Sequence, residues 1–370
     1  MAVPFIDLER LTTRIRGDVL AAWAQVFDAR EFVGGPRVGA VEKKLSAILG
    51  VDRTVSCANG TDALIIALQA LGIGRGSKVA LPNLTFWATY EAVANLGATP
   101  VLIDIDPDDL QIDVDAVMAA HLKHGLDAVL LVHLYGWTSS RLAELRAWSA
   151  AHKVPIVDDG AQCFGVEVSG KPVLSGAELA TLSFYPAKVV GGAMDGGAIT
   201  LSSSTHEALV RSLCNHGRAT HYSYAHVGWN SRMGGVQAAF LDRMLDEVPA
   251  ILDSRRRAAA FYRERLGKVA GVRVYGPPAG VVENGYLNVI TLEPGEDVAP
   301  VVDRLKARGI GTSRTYPETL DEQKPASGAV VFGEMLHSRR VAHSVLSLPL
   351  FFGITDAELE ESAAAFLACR

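Results

Sequence analysis

The sequence predicts an α/β protein: a large lobe with a mostly parallel sheet between helices, followed by a smaller α+β lobe. Three observations lead there. From about residue 38 to 245, short apolar runs alternate with helical patterns, which is how βαβ units read. Near residue 250 that order gives way to a long helical segment, two strand-like runs and further helices. The chain has 370 residues, more than the roughly 250–300 at which single cores stop growing. Two lobes are therefore expected, residues 1–249 and 250–370.

In order, VGAVEKKLSAIL reads as a helix, TVSCA as a strand, GTDALIIALQAL as a helix and KVALP as a strand. TFWATYEAVANL then reads as a helix and PVLIDID as a strand. A helix near Val114–Leu122, the strand DAVLLVHLYG, a helix near Arg141–His152 and the strand VPIVDD follow. Beyond residue 250, DSRRRAAAFYRERL is helical, VRVY and YLNVITL are strand-like, and helices fall near Ala299–Arg308 and at TDAELEESAAAFLA.

Composition narrows the function classes. Apolar residues make up 49% and charged ones 21%, too apolar for a disordered chain. The formal charge of −6 has no compensating basic block. The densest basic run, Arg255–Arg257, is expected on a solvated helix face, so nucleic acid is not an expected partner. The four cysteines, Cys57, Cys163, Cys214 and Cys369, form no CxxC pair. Reduced thiols in a cytoplasm are expected, and no stretch has the ~18–20 apolar residues of a membrane span.

Four strand-to-helix loops carry the chemistry, because ligands of such sheets bind beyond the carboxyl ends of the strands. The segment TLSFYPAKVVGGAMDGGAIT sets one cation, Lys188, among glycines and apolar residues. Such surroundings disfavour the charged amine, and the neutral amine is a nucleophile that forms an imine with a carbonyl. A surface lysine in a glycine-rich turn explains the same letters. VPIVDDGAQCFG ends a strand in Asp158 and Asp159, and alternation lets only one of them face the cleft. A buried carboxylate needs a cationic partner such as a protonated pyridine nitrogen, although two loop-capping aspartates fit equally. In SCANGTDAL, Gly60 and Thr61 open a helix whose free N–H groups suit a phosphate, or Thr61 simply caps it. In TFWAT, Phe86 or Trp87 can stack on a flat ring, or pack in the core. Together these four needs describe one ligand, pyridoxal 5'-phosphate.

The residues also resemble the DegT/DnrJ/EryC1/StrS family of sugar aminotransferases, which are fold-type I pyridoxal-phosphate enzymes. PFIDL, EFVGGPRVGAVEKKL, NGTDAL, TFWAT, VHLYG, VDDGAQCFG, SFYPAK, DGGAI, NHG, GWNSRM, YPETL and LSLPL follow in the family's order, nearly end to end. The resemblance implies a seven-stranded, mostly parallel sheet with one antiparallel strand. It makes Lys188 the Schiff-base lysine, Asp159 the partner of the pyridine nitrogen, and Gln162 a neighbour of the cofactor's phenolic oxygen. Gly60, Thr61 and Ser183 would hold the phosphate, Phe86 would stack on the ring, and Asn230 would reach the phosphate of a neighbouring subunit. A homodimer with shared active sites is thereby implied. Gly160, Cys163 and VVGGAM depart from the family's commonest pattern and bear on substrate fit. Lysine at 188 separates the chain from the family's histidine-bearing dehydratases.

The implied activity is transfer of an amino group, with glutamate as donor, onto a keto or aldehyde sugar, most simply a nucleotide-linked one, through the pyridoxamine 5'-phosphate form. Lys188 serves as tether and proton carrier, and Asp159 keeps the ring nitrogen protonated. An acceptor without a nucleotide, such as a keto-cyclitol or an oxidised sugar acid, is the alternative. A pyridoxal-phosphate-binding regulator without turnover is a remote one. A nicotinamide dehydrogenase is disfavoured, because GIGRGS follows a helix and precedes a strand. Arg218, His221, Tyr222 and Arg314 are candidates for substrate contact, and His133 and Tyr135 for the cleft, His133 being equally explained as structural.

Overall fold

The computed structural model describes residues 2–293 and 296–370. Helices α1 (Glu9–Ala29) and α2 (Pro36–Leu49) precede strand β1 (Arg53–Cys57). Then come α3 (Gly60–Ala70), β2 (Lys78–Pro82), α4 (Trp87–Asn95), β3 (Thr99–Ile103), α5 (Val114–His124), β4 (Ala128–Val132), α6 (Leu142–His152) and β5 (Ile156–Asp159). Strands Leu179–Ser183 and Gly197–Leu201 complete the run, followed by α7 (Glu207–Cys214), α8 (Gly235–Asp246) and α9 (Val248–Leu266).

Across the sheet the order is β1, Gly197–Leu201, Leu179–Ser183, β5, β4, β2, β3 and Val330–Phe332. Gly197–Leu201 is antiparallel to both its neighbours, and every other pair is parallel. That single reversed strand is the one the family resemblance implies. The sheet has eight strands rather than seven, because Val330–Phe332 returns to its edge and places Val331 opposite Leu102. Three residues are too few to show alternation, which is why the sequence did not reveal this strand.

Strand β4, AVLLV, is buried at every position because helices cover both faces of the sheet. Alternation divides the core accordingly. Ala80, Val129, Leu131 and Ala180 pack with α1, α2, α5, α6 and α8, while Val79, Leu81, Leu130, Val157 and Leu179 pack with α3, α4 and α7. Helix α3 is apolar on nearly all sides because it lies between the sheet and the outer helices α4 and α7. Its fixed seat aims its N-terminus along the strand ends.

The C-terminal part adds α10 (Ala299–Ala307), α11 (Leu336–Ser344) and α12 (Asp356–Cys369), with an antiparallel three-stranded sheet of Val272–Tyr275, Val289–Leu292 and Val345–Leu346. Tyr262, Ile290, Leu305, Leu346 and Phe366 form its core, which Val3 joins from the N-terminal arm. A further cluster, with Leu84, Val132, Trp137, Tyr275, Val289 and Val345, packs this part against the strand ends of the large sheet. The cleft lies beside that seam.

One expectation fails within α9. Arg255–Arg257 is not wholly a solvated face: Arg255 is 8% exposed, and only Arg257 is open to solvent. Arg255 shares its helix face with the buried Ala258, Ala259, Tyr262 and Leu266. The four cysteines are buried and unpaired. Among the described residues, no helix is long and apolar enough to cross a membrane, and no group of His, Cys, Asp or Glu could hold a metal ion.

Candidate active site

A cavity of about 770 Å³ opens at the carboxyl ends of the strands, and Gly60, Thr61, Phe86, Asp159, Gln162, Ser183 and Lys188 all line it. Seven of the eight site residues expected from sequence thus converge. The eighth, Asn230, lies outside this cavity, exposed, with its Oδ1 accepting from Arg232 Nη2 at 2.5 Å.

The candidate anion cradle lies at two strand ends. Asn59, not Thr61, caps α3: its Oδ1 accepts from Asp62 N at 2.8 Å. The Gly60 and Thr61 amides in the first turn have no partner within the helix, and Thr61 lines the cavity while Asn59 does the capping. Gly60 approaches Ser183 so closely that a Cβ there would stand 2.8 Å from Ser183 Cβ. The glycine is what lets the helix start and Ser183 share one small, N–H-lined space.

Strand β5 separates its two aspartates as alternation requires. Asp159 enters the cavity, with Oδ2 accepting from Thr89 Oγ1 at 3.2 Å and Oδ1 from Ala161 N at 3.1 Å. Burial pushes its carboxyl pKa up, against the opposing pull of the Ala161 amide and the Lys188 charge. A carboxylate so placed calls for a cation in front of it. Asp158 faces away, 2.8 Å from His133 Nε2 and 2.9 Å from Arg146 Nη2. His133, fully buried, also meets Thr138 Oγ1 at 2.8 Å and does not line the cavity. Its structural reading holds.

Gly160 has a steric reason to depart from alanine, since a Cβ there would stand 2.6 Å from the Thr181 carbonyl oxygen. Gln162 Oε1 accepts from Tyr135 N at 2.7 Å, leaving its Nε2 to donate to Tyr316 Oη at 3.0 Å. Tyr135 itself is buried among Trp137 and its neighbours, outside the cavity. Between the two candidate aromatics, Phe86 lines the cavity and is 54% exposed. Trp87 stacks on Tyr90 with centroids 4.6 Å apart and packs, partly buried, against the core.

Sequence reasoning missed Thr89, Tyr286 and Tyr316. Tyr316 lies within YPETL, a family segment whose tyrosine was not singled out; its ring lies 5.9 Å from that of Phe86. Burial pushes the Tyr316 phenol well up, and nearby Tyr286, Tyr135 and Asp159 add to the shift. The Tyr286 hydroxyl accepts from Lys188 Nζ at 3.5 Å. Of the residues proposed for substrate contact, Arg218 and Arg314 do not line this cavity. Arg314 instead donates to the carbonyls of Ala342 and His343, and Tyr222 is 85% exposed beside His221 on the turn between Arg218 and Tyr224.

A primary amine, a buried carboxylate, the free N–H groups of a helix start and an exposed aromatic ring around one cavity are the groups that a phosphorylated pyridine aldehyde would require. The chain belongs to the DegT/DnrJ/EryC1/StrS aminotransferase family, whose sequence pattern it matches over residues 13–366. It is a pyridoxal-phosphate-dependent aminotransferase. It is 32% identical over 98% of its length, and 96% of the relative's, to UDP-N-acetyl-3-dehydro-alpha-D-glucosamine 3-aminotransferase of Acidithiobacillus ferrooxidans. To UDP-2-acetamido-2-deoxy-3-oxo-D-glucuronate aminotransferase of Pseudomonas aeruginosa it is also 32% identical, over 98% of this chain and 99% of that one. The crystal structure of a family aminotransferase from Brucella abortus superimposes with a TM-score of 0.93 at 32% identity, covering 98% of both chains.

Proposed function

We propose that this aminotransferase moves an amino group from glutamate onto a keto or aldehyde carbon of a nucleotide-linked sugar, in amino-sugar biosynthesis. The observation that carries the reading is the convergence of Lys188 and Asp159 with the Gly60–Thr61–Ser183 cradle on one cavity. The acceptors named for the relatives, sugars linked to UDP, dTDP or GDP, favour a nucleotide-linked one.

In this reading the Gly60 and Thr61 amides and Ser183 hold the phosphate, Phe86 covers one ring face, and Gln162 stands by the phenolic oxygen. When bound, pyridoxal phosphate supplies the electron sink of the reaction. Asp159 holds a proton on the ring nitrogen: its burial makes an unpaired charge costly, so the carboxylate and the pyridinium stabilise each other. Lys188 would tether the cofactor and, once released as an amine, would carry the proton that the transfer requires. Asn230, outside its own chain's cavity, serves a second copy's phosphate in a homodimer. The exposed Phe27, Phe32 and Val33 support a covered surface of that kind. The two lobes divide near residue 249/250, at the start of α9, and the enzyme acts in the cytoplasm.

One observation favours the alternative of an acceptor without a nucleotide. Among the described lining residues Lys188 is the only cation, whereas Asp62, Glu91, Asp159 and Asp195 also line the cavity. A diphosphate would then depend on cations from the second subunit. Re-oxidation of the pyridoxamine-loaded enzyme by a panel of keto sugars separates the two. Nucleotide-linked acceptors reacting fastest supports the proposal, and preference for free keto sugars or cyclitols overturns it.

A further inference from the structure

The Lys188 amine is not left to itself in the cavity. Its Nζ donates to the Tyr286 hydroxyl at 3.5 Å and lies 5.2 Å from the centroid of the Tyr286 ring. Hydrogen bonds of this kind are often long before substrate binds and shorten afterwards. Tyr286 is in turn held on both sides of its backbone. Its N–H donates to Asn284 Oδ1 at 2.8 Å, and its carbonyl accepts from Arg255 Nη2 at 3.2 Å.

Both holders are buried at some cost. Asn284 is fully buried, and its Nδ2 donates to the carbonyls of Gln162 at 2.8 Å and Phe164 at 2.9 Å. It therefore ties Tyr286 to the loop that follows Asp159. Among the described residues Arg255 has no carboxylate partner, its buried Nε makes no hydrogen bond, and burial pushes its pKa down to about 10. A guanidinium so poorly compensated is expensive to keep inside a protein. What it contacts is the backbone of the residue that meets the amine.

We propose that Tyr286 is a positioning residue for Lys188, its hydroxyl fixing the direction of the amine and Asn284 and Arg255 fixing Tyr286 against the Asp159–Phe164 loop. The inference rests on the reading of Lys188 as the reactive amine. A lysine has four side-chain torsions, and holding its end within reach of the reacting carbons replaces a search with a fixed geometry. Packing alone would be served equally by phenylalanine, so the hydroxyl is the feature to test.

Tyr286→Phe in the loaded enzyme is the direct variant, with 3-fluorotyrosine at position 286 as a second one that keeps the shape and lowers the pKa of the phenol. The borohydride-reduced peptide carrying the cofactor is mapped in each. The expected result is labelling at Lys188 throughout, a kcat about 10-fold lower in Tyr286→Phe with KM and cofactor affinity within twofold, and a displaced pH midpoint of the cofactor absorption band in both variants. Asp159, whose carboxyl feels the Lys188 charge, and Gln162 and Tyr316, which also line the cavity, are unchanged in them. Labelling at Lys188 with wild-type kcat and midpoint in both variants overturns the role of Tyr286 alone. Labelling elsewhere overturns the lysine assignment and this inference with it.

Discussion

The end of strand β5 presents two neighbouring aspartates to two different environments. Asp158 looks away from the cavity at His133 and Arg146, with its charge answered by protein groups already in place. Asp159 looks into the cavity at a hydroxyl and an amide, and its carboxyl pKa is pushed up by burial. The same side chain, one residue apart, is built into the scaffold on one face and left for a ligand on the other. A charge with its partners present stabilises the fold, while a charge short of partners marks where something binds.

Substitutions separate the two faces. The largest effect belongs to Lys188→Ala, which should abolish turnover and the lysine-linked cofactor absorption, as read by steady-state assay and spectrum. Asp159→Asn should lower kcat by at least about 10²-fold while the protein still binds cofactor and keeps its melting temperature. Near-normal kcat would remove Asp159 from the electronic role. Asp158→Ala should do the reverse. Removing one partner of a buried charge cluster costs about 3 kcal/mol, measured by urea unfolding, with kcat per folded molecule little changed. If both aspartate variants lost activity without losing stability, the contrast between the faces would dissolve.

Gly60→Ala should weaken cofactor binding about tenfold, about 1.4 kcal/mol, because the new Cβ would stand 2.8 Å from Ser183 Cβ and one of them must shift. Titration of the stripped protein with pyridoxal phosphate measures it. The smallest effect lies far from the cavity. Arg10 donates to Glu358, in the capping box of α12, and holds its carboxyl down at about 2, below the usual 4.5. Its folded pKa is depressed, so the stabilisation is present above about 4.5 and is lost as pH falls toward about 2. Arg10→Ala should therefore lower stability by about 1 kcal/mol at neutral pH, and the two proteins should converge in acid.

Most of the large sheet was legible because its strands read as apolar runs, several of them leading into a functional loop. Asn59–Thr61, Asp159 and Lys188 all announce themselves in that way, and the structure gathers them as the strand ends imply. Position 86 was ambiguous by letters alone. Only the stacking of Trp87 on Tyr90 assigns one aromatic to the core and the other to the cavity. Tyr286 and Tyr316 come from segments about a hundred residues and more beyond Lys188, where no periodicity points back at the cavity. Arg255 was readable in principle: with Ala258, Ala259, Tyr262 and Leu266 it marks one helical stripe, and the RRR cluster drew attention from that spacing. Val330–Phe332 was too short to read at all.

The account turns on which amine meets the cofactor. Borohydride reduction of the fully loaded enzyme followed by peptide mass mapping tests it most directly. One cofactor per chain, fixed on the peptide containing Lys188, is the expected result. A loaded enzyme in which Lys188 stays unmodified, or in which another lysine carries the label, would contradict it.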